Sequence, residues 1–273
     1  MPEPRRQRST VRPARNPPRR APAASSSWDR QATWYDGWVG GQGSRYHQRI
    51  VVPLALELLD PRPDEEILDI GGGQGVLAPA IARAGAHYTG VDASPRLIDA
   101  ARRRHGRAGR FLVGDARNMS SVRELKPGAF DAAVFLLSIQ DMDPLEPVFQ
   151  SLDWALRPMS RVVIVMTHPA FRQPRHSGWG FDEGRKLTFR RIDSYLTPMA
   201  VPMKSIGGGT PTRSFHRPIS EYVNGLAQVG FAVDALHEPA DLPEGERPGK
   251  RASRGRADAE IPLFLALRAR RGG

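Results

Sequence analysis

The 273-residue chain contains no cysteine. Disulfide bonds, thiolate zinc sites and cysteine nucleophiles are therefore excluded. No stretch approaches the roughly 20 consecutive apolar residues that cross a bilayer, and the first residues lack the apolar segment of a signal peptide. These absences predict a cytoplasmic protein without a membrane span.

Several catalytic motifs are also missing. The sequence contains no P-loop, no G-x-S-x-G turn around a nucleophilic serine and no H-E-x-x-H zinc motif. Its GGGT segment at residues 207–210 lacks the lysine of a phosphate-binding loop. We expect no bound metal.

The formal net charge of +11 is concentrated in two segments. Residues 1–27 carry seven arginines and one glutamate, and residues 168–217 carry nine basic against three acidic residues. The first segment has too few apolar residues to fold and is predicted to be a disordered arm. A solubilising role is favoured over nucleic-acid binding, because the arm contains no recognition motif.

The most informative segment is ILDIGGGQG, residues 67–75. An apolar strand runs into a turn in which Gly71, Gly73 and Gly75 permit positive φ and close backbone approach to a ligand. The following helix start offers free N–H groups, so the pattern predicts a nucleotide-sized binding site. The dinucleotide fingerprint G-x-G-x-x-G would need glycine where Val76 stands, which argues against NAD.

A second predicted strand, residues 88–92, ends in Asp92. A short helix at residues 79–84 separates it from the first strand, and a right-handed βαβ unit would place Asp92 beside the glycine turn. A carboxylate in this place can accept both hydroxyls of a ribose. The alternative is a solvated strand end that precedes the helix start at Ser94-Pro95.

Further strands are predicted at residues 111–116, 130–137 and 161–167, with helices at 145–156 and 220–229 and final strands at 231–236 and 262–267. Strands that alternate with helices in this way predict an α/β, doubly wound sheet.

Asp69, the G-x-G-x-G spacing and the acidic ends of the next two strands together resemble class I S-adenosylmethionine (SAM) methyltransferases. The core motifs are similar to those of the small-molecule group that includes ubiquinone and menaquinone biosynthesis methyltransferases. The resemblance runs from about residue 65 to residue 167 and resumes near the C-terminus. It implies a Rossmann-like, mostly parallel seven-stranded sheet with an antiparallel last strand, and SAM as cofactor with S-adenosylhomocysteine as product.

The resemblance also implies the cofactor contacts. Asp92 would bind the ribose, the Asp115 carboxylate would receive the adenine amino group, and the Ala116 N–H would meet a ring nitrogen. Aromatic residues before the first core helix would fold over SAM. The expected cofactor-binding residues are Asp69, Gly71, Gly73, Gly75, Asp92, Ala93, Asp115, Ala116, Tyr35 and Tyr46.

Segment 168–217 starts at the end of the fifth strand, where open α/β sheets bind ligands, and is predicted to be a substrate cap. An oligomer interface is the alternative, and the oligomeric state is open. The predicted regions are a basic arm (1–27), an N-terminal lid and helix (28–60), a SAM-binding core (61–167), the cap (168–217) and a C-terminal part (218–273) with a flexible loop at 239–260.

We therefore predict transfer of a methyl group from SAM to an O, N or C atom of a small, anionic or aromatic metabolite. A general base would accept a proton from the acceptor, and His168, His47 and Asp141 are the candidate catalytic residues. For each histidine a structural role is the alternative. An RNA methyltransferase that uses the basic arm and cap, and a non-catalytic SAM-binding protein, are the alternative functions.

Overall fold

The computed structural model describes residues 28–29, 43–203, 212–240, 257 and 259–272. The predicted basic arm, Tyr35, the 207–210 segment and residues 241–256 of the predicted loop lie outside the described residues.

The described residues form a three-layer α/β structure. The strands are β1 (Glu66–Ile70), β2 (His87–Asp92), β3 (Arg110–Val113), β4 (Phe130–Leu136), β5 (Leu156–Thr167), β6 (Ser177–Asp182), β7 (Leu187–Ile192), β8 (Met199–Pro202), β9 (Arg213–His216), β10 (Phe231–His237) and β11 (Phe264–Arg271). The α-helices are α1 (Val52–Leu59), α2 (Ala78–Arg83), α3 (Pro95–His105), α4 (Leu145–Ala155) and α5 (Ile219–Gln228). A π-helical turn, His47–Val51, precedes α1, and 3₁₀ turns span Ala116–Ser121 and Ile139–Asp141.

Seven strands form one sheet in the order β10-β11-β5-β4-β1-β2-β3. The contacts from β5 through β3 are parallel, whereas β11 runs antiparallel to both β5 and β10. The predicted doubly wound, mostly parallel sheet with an antiparallel last strand is therefore confirmed.

The two faces of the sheet bury separate apolar clusters, which is why the central strands read as continuous apolar runs. On one face Phe135 of β4 packs in a cluster with residues of α4 and α5. On the other face Val134 belongs to a cluster with residues of α1, α2 and α3. Alternate residues of one strand thus anchor opposite helix layers.

The strand order reverses between β1 and β4, since β1 leads outward through β2 and β4 leads outward through β5. Loops leaving the carboxyl ends of these neighbouring strands diverge and leave a crevice between them. The glycine turn after β1 and the Ser138–Asp141 segment after β4 both lie at this crevice.

Several element boundaries differ from the sequence prediction. Strand β5 begins five residues early at Leu156, continuing through Met159 at a φ of 61°. Helix α5 begins at Ile219 with Pro218 in the capping position, one residue before the predicted start at residue 220. Strand β11 extends to Arg271 because it stays paired with β5 as far as Arg270 and with β10 as far as Arg271.

The predicted cap segment contains two antiparallel hairpins, β6–β7 and β8–β9, each a separate two-stranded sheet. Strand β9 contacts the 3₁₀ turn Ile139–Asp141. The role of this segment as a substrate cap stays a prediction. None of the helices in the described residues is long and apolar enough to cross a membrane.

Arg161 of β5 fastens the end of α1 to the sheet. Its guanidinium donates to the Leu59 carbonyl and, over 3.1 Å, to the Asp60 carbonyl. It also forms a bidentate ion pair with Glu65, at 2.8 and 2.6 Å. Because Asp60 ends α1 in the left-handed region, at a φ of 43°, these carbonyls have no further helical partner.

Arg161→Ala should therefore lower the free energy of unfolding by about 3 kcal/mol, because it removes a partly buried ion pair and leaves the helix end without donors. Urea denaturation would measure the loss. Arg62→Ala, which breaks an exposed pair with Asp60, is the matched control and should cost much less, because solvent screens exposed ion pairs. Equal losses in the two variants would contradict this account.

Candidate functional site

The turn between β1 and α2 requires its glycines. Gly71, Gly73 and Gly75 adopt φ values of 71°, 54° and 76°, which side-chain-bearing residues rarely adopt. A Cβ atom on Gly71 would lie 2.6 Å from the Cβ of Ser138, and one on Gly75 would lie 2.5 Å from Cε1 of Phe111. The backbone of the turn is thus packed directly against the neighbouring strand ends.

Backbone hydrogen bonds fix this turn against β2. The N–H groups of Gly71 and Gly72 donate to the Val91 carbonyl over 2.8 and 3.2 Å. At the end of β2, Asp92 Oδ2 accepts from Gly73 N–H at 3.0 Å, and Oδ1 accepts from Ser94 N–H at 2.8 Å. The structure therefore brings Asp92 and the glycine turn together.

The Asp92 carboxylate keeps capacity for a ligand. An ionised carboxylate offers about four acceptor positions, and the two N–H groups use only two of them. Desolvation raises the pKa of Asp92 to about 6, although the N–H groups of Ser94 and Gly73 act in the opposite direction. Hydroxyl donors from a ligand would stabilise the ionised form.

Asp69 lies inside β1 and is 1% exposed. Its Oδ2 accepts from the Tyr88 hydroxyl at 2.7 Å, whereas its buried Oδ1 has no hydrogen-bond partner among the described residues. Burial raises the pKa of Asp69 to about 7, even though the Tyr88 hydroxyl favours the ionised form. A buried acid with one unsatisfied oxygen suits a cationic or hydrogen-bond-donating ligand group.

A third acid, Asp141, ends the 3₁₀ turn after β4. Desolvation, followed by the charge of Asp92, raises the pKa of Asp141 well above its ordinary value. Asp69 likewise feels the charge of Asp92. Three interacting acids make this crevice a better site for a cationic ligand than for the pyrophosphate of a dinucleotide.

Asp115 and Ala116 follow the next strand, β3. The Asp115 carboxylate accepts from the Arg117 backbone N–H at 2.9 Å and from the Arg117 guanidinium through both of its oxygens. This guanidinium holds the pKa of Asp115 below its ordinary value. It also donates to the Asp143 carbonyl at 3.0 Å, so it joins the loops after β3 and β4.

Two of the expected residues lie in the segment before α1. Tyr46 is 38% exposed, and its ring meets the Phe264 ring edge-on with centroids 5.8 Å apart. The next residue, His47, is buried, and its Nδ1 lies 2.9 Å from the Ser44 hydroxyl. Burial lowers the pKa of His47 to about 4, which makes it a weak base at neutral pH.

His168 follows β5 directly and uses both ring nitrogens. Its Nδ1 accepts from Ala170 N–H at 3.1 Å, which assigns the proton to Nε2, and Nε2 lies 2.7 Å from the Glu238 carboxylate. Burial lowers the pKa of His168 although Glu238 acts in the opposite direction. These contacts fix the loop after β5, and a role in proton transfer stays a prediction.

The structure thus groups the glycines, Asp69, Asp92 and Asp141 at the crevice, with Asp115 and Ala116 just after β3 and Ala93 beside Asp92. His47 and His168 make their hydrogen bonds elsewhere, to Ser44 and Glu238. The described residues contain no group of three or more His, Asp or Glu side chains that could hold a metal ion. The expected lack of a metal stays a prediction.

Sequence reasoning missed three residues of this region. The Ser138 hydroxyl donates to the Ile70 carbonyl at 2.6 Å and joins the ends of β4 and β1. Arg117 binds the predicted adenine acid, and its position two residues after Asp115 could have signalled the pair. The Asp29 carboxylate reaches the start of α3, and no local pattern marks a contact across 65 residues.

Residues 67–159 match a family model described as a methyltransferase domain. A ubiquinone biosynthesis O-methyltransferase of Xylella fastidiosa is 28% identical over 145 residues, 51% of this chain and 58% of that protein. A demethylmenaquinone methyltransferase of Tropheryma whipplei is 29% identical over 116 residues, 42% of this chain and 47% of that protein. The alignments therefore span about half the length of these relatives.

The fold is shared with a solved SAM-dependent methyltransferase from Mesorhizobium loti. That structure superposes with a TM-score of 0.64 and 24% identity, covering 80% of this chain and 96% of the other. This likeness extends well beyond the residues matched by the family model.

Tyr88→Phe tests the electrostatics of the crevice. The Tyr88 hydroxyl stabilises ionised Asp69, so its loss penalises the charged form of that acid. Since the wild-type pKa of Asp69 is about 7, the free energy of unfolding should fall by about 1–3 kcal/mol near pH 8 and by less near pH 5.

Urea denaturation at the two pH values would measure both losses. Adding Asp69→Asn in a double-mutant cycle isolates the Tyr88–Asp69 interaction from the lost packing of the hydroxyl. A loss that does not change with pH would show that the hydroxyl does not act through Asp69.

Proposed function

We propose that this chain, whose residues 67–159 form a methyltransferase domain, transfers a methyl group from SAM to an O, N or C atom of a small metabolite. The main support for the proposal is the hydrogen bond from Gly73 N–H to the Asp92 carboxylate. It forms at the carboxyl ends of β1 and β2, which are adjacent and parallel. It combines a close-approach backbone turn with a carboxylate that can accept ribose hydroxyls.

The crevice suits SAM in particular. Asp92 would hold the ribose, and the unsatisfied Oδ1 of Asp69 would face the ammonium group of the methionine part. Asp115 and the Ala116 N–H would hold the adenine. When bound, SAM supplies an electrophilic methyl group on a positively charged sulfur, and the acidic surroundings described above favour that charge.

On the acceptor side, Asp141 is the best supported of the three predicted catalytic residues. It ends the 3₁₀ turn after β4, it interacts with Asp92, and its raised pKa brings its basicity nearer to that of an effective general base. Its carboxylate would accept the proton of the attacking hydroxyl, amine or acidic carbon. His47 has a low pKa, and His168 already uses both ring nitrogens.

The acceptor would enter between this turn and the cap segment. Strand β9 contacts the Ile139–Asp141 turn, and Arg217, directly after β9, donates to the Met142 carbonyl at 3.0 Å and pairs with Asp143. The cap would thus hold the loop that carries Asp141 and exclude water from the methyl-transfer site.

The first test is calorimetric titration of SAM, S-adenosylhomocysteine and NAD into the purified chain. We expect binding of the first two, and we expect SAM affinity to fall as the pH is lowered from about 8 to about 5, because ribose and ammonium groups prefer ionised Asp92 and Asp69. Asp92→Asn should weaken SAM binding by at least about tenfold, which corresponds to about 1.4 kcal/mol.

Asp99→Asn removes an exposed carboxylate of α3 that pairs with Arg102 and serves as the matched control. It should bind SAM like the wild type. Binding of NAD without SAM would overturn the proposal, and so would an affinity that Asp92→Asn leaves unchanged.

Asp141→Asn tests the acceptor side. Transfer of radiolabelled methyl from SAM to a panel of phenolic, amine and carboxylate acceptors would first identify a substrate. The variant should then lower kcat by about 10²–10⁴-fold, the usual contribution of a general base, with little change in SAM affinity.

The same screen separates the alternative functions. Donor binding without transfer to any small acceptor, but with transfer to RNA, would favour the RNA methyltransferase. Binding without any transfer would favour a non-catalytic SAM-binding protein. Unchanged kcat in Asp141→Asn would remove Asp141 from the catalytic residues and leave the donor site intact.

A further inference from the structure

The Asp29 side chain contacts residues at the start of α3, and Asp29 is not one of the residues proposed to bind SAM. Its Oδ1 accepts from the Ser94 hydroxyl at 2.9 Å and from the Arg96 backbone N–H at 3.1 Å. Its Oδ2 faces Nε of Arg96 at 3.5 Å. The Asp29 side chain is only 19% exposed, so this carboxylate is well enclosed by its partners.

Ser94 connects these contacts to the donor site. Its backbone N–H donates to Asp92, its hydroxyl donates to Asp29, and the same hydroxyl oxygen accepts from Leu97 N–H at 3.3 Å. The N–H and the hydroxyl of Ser94 therefore each have a defined partner. The position of the Asp92 carboxylate is coupled through one residue to a side chain 63 positions earlier in the chain.

Asp29 also completes the cap of α3. The first N–H groups of a helix have no intrahelical acceptor. Pro95 has no N–H, Arg96 N–H is bound by Asp29, and Leu97 N–H is bound by Ser94. A carboxylate at this end is further stabilised by the helix dipole.

We propose that Asp29 is a positioning residue of the donor site, which fixes Ser94 and the start of α3 so that the Asp92 carboxylate is held ready for the ribose hydroxyls. The proposal rests on the proposed function, because it assigns Asp29 a role in binding SAM. Asp29 itself touches neither donor nor acceptor in this account and is not a catalytic residue.

The charge of Asp29 should affect the pKa of Asp92 and therefore the pH dependence of SAM binding. After desolvation and its two N–H contacts, Asp92 feels the charge of Asp29, which raises its pKa. Asp69 on β1, Tyr88 on β2 and Asp141 after β4 also interact with Asp92. Arg96 on α3 pairs with Asp29 and partly offsets its charge. Neutralising Asp29 should therefore make Asp92 more acidic.

The test compares Asp29→Ala, Asp29→Asn and the control Asp99→Asn in the full chain. Asp29→Ala removes the acceptor for Ser94 and Arg96, and the dissociation constant for SAM should rise about fivefold to tenfold, as expected when one helix cap is lost. Asp29→Asn keeps an amide oxygen as acceptor but removes the charge. At pH 8 this variant should bind SAM with an affinity closer to that of the wild type. The pH at which SAM affinity falls should be lower in Asp29→Asn than in the wild type.

A readout without ligand accompanies the titrations. Amide hydrogen exchange at Arg96 and Leu97 should be faster in Asp29→Ala than in the wild type, and unchanged in Asp99→Asn. If the wild type binds SAM but both Asp29 variants match its affinity within twofold and its pH profile, the proposal is wrong and the proposed function stands. If the wild type does not bind SAM, the proposed function fails first.

Discussion

The proposed donor site depends on one contact, the hydrogen bond from Gly73 N–H to the Asp92 carboxylate. It requires a turn that bears no side chain at Gly71 and Gly75, because neighbouring atoms of Ser138 and Phe111 already occupy the space that a Cβ would need. It also requires β1 and β2 to be adjacent and parallel, so that their carboxyl ends meet. The rest of the sheet holds these two strand ends in register.

This arrangement is costly for the folded protein without a ligand. Asp69, Asp92 and Asp141 interact at the crevice, and desolvation raises the pKa of each. Acids in such surroundings destabilise the charged state unless a cation or hydrogen-bond donors offset the desolvation. Their retention in one crevice is what a site for a positively charged ligand requires, and a structure selected for stability alone would not place them together.

Sequence reasoning recovered the parts of the site that local chemistry encodes. The glycine spacing, the strand ending in Asp92 and the order of strands and helices each leave a signal within a few residues, because backbone conformation and apolar periodicity are local properties. Boundaries were less well predicted: β5 starts at Leu156 because Leu156 pairs with Phe130 of β4, which extends the strand past Met159 with its positive φ. The lid residue Tyr35 lies outside the described residues and stays a prediction.

The sequence by itself determined the fold class and the position of Asp92 beside the glycine turn, because a βαβ unit with a glycine turn admits few arrangements. Only the tertiary structure decided which neighbours each side chain meets. It placed Nε2 of His168 beside Glu238, joined the Ser138 hydroxyl to the Ile70 carbonyl and brought Asp29 to Ser94. Such contacts join residues that are distant in sequence, and they depend on how the layers pack rather than on any local pattern.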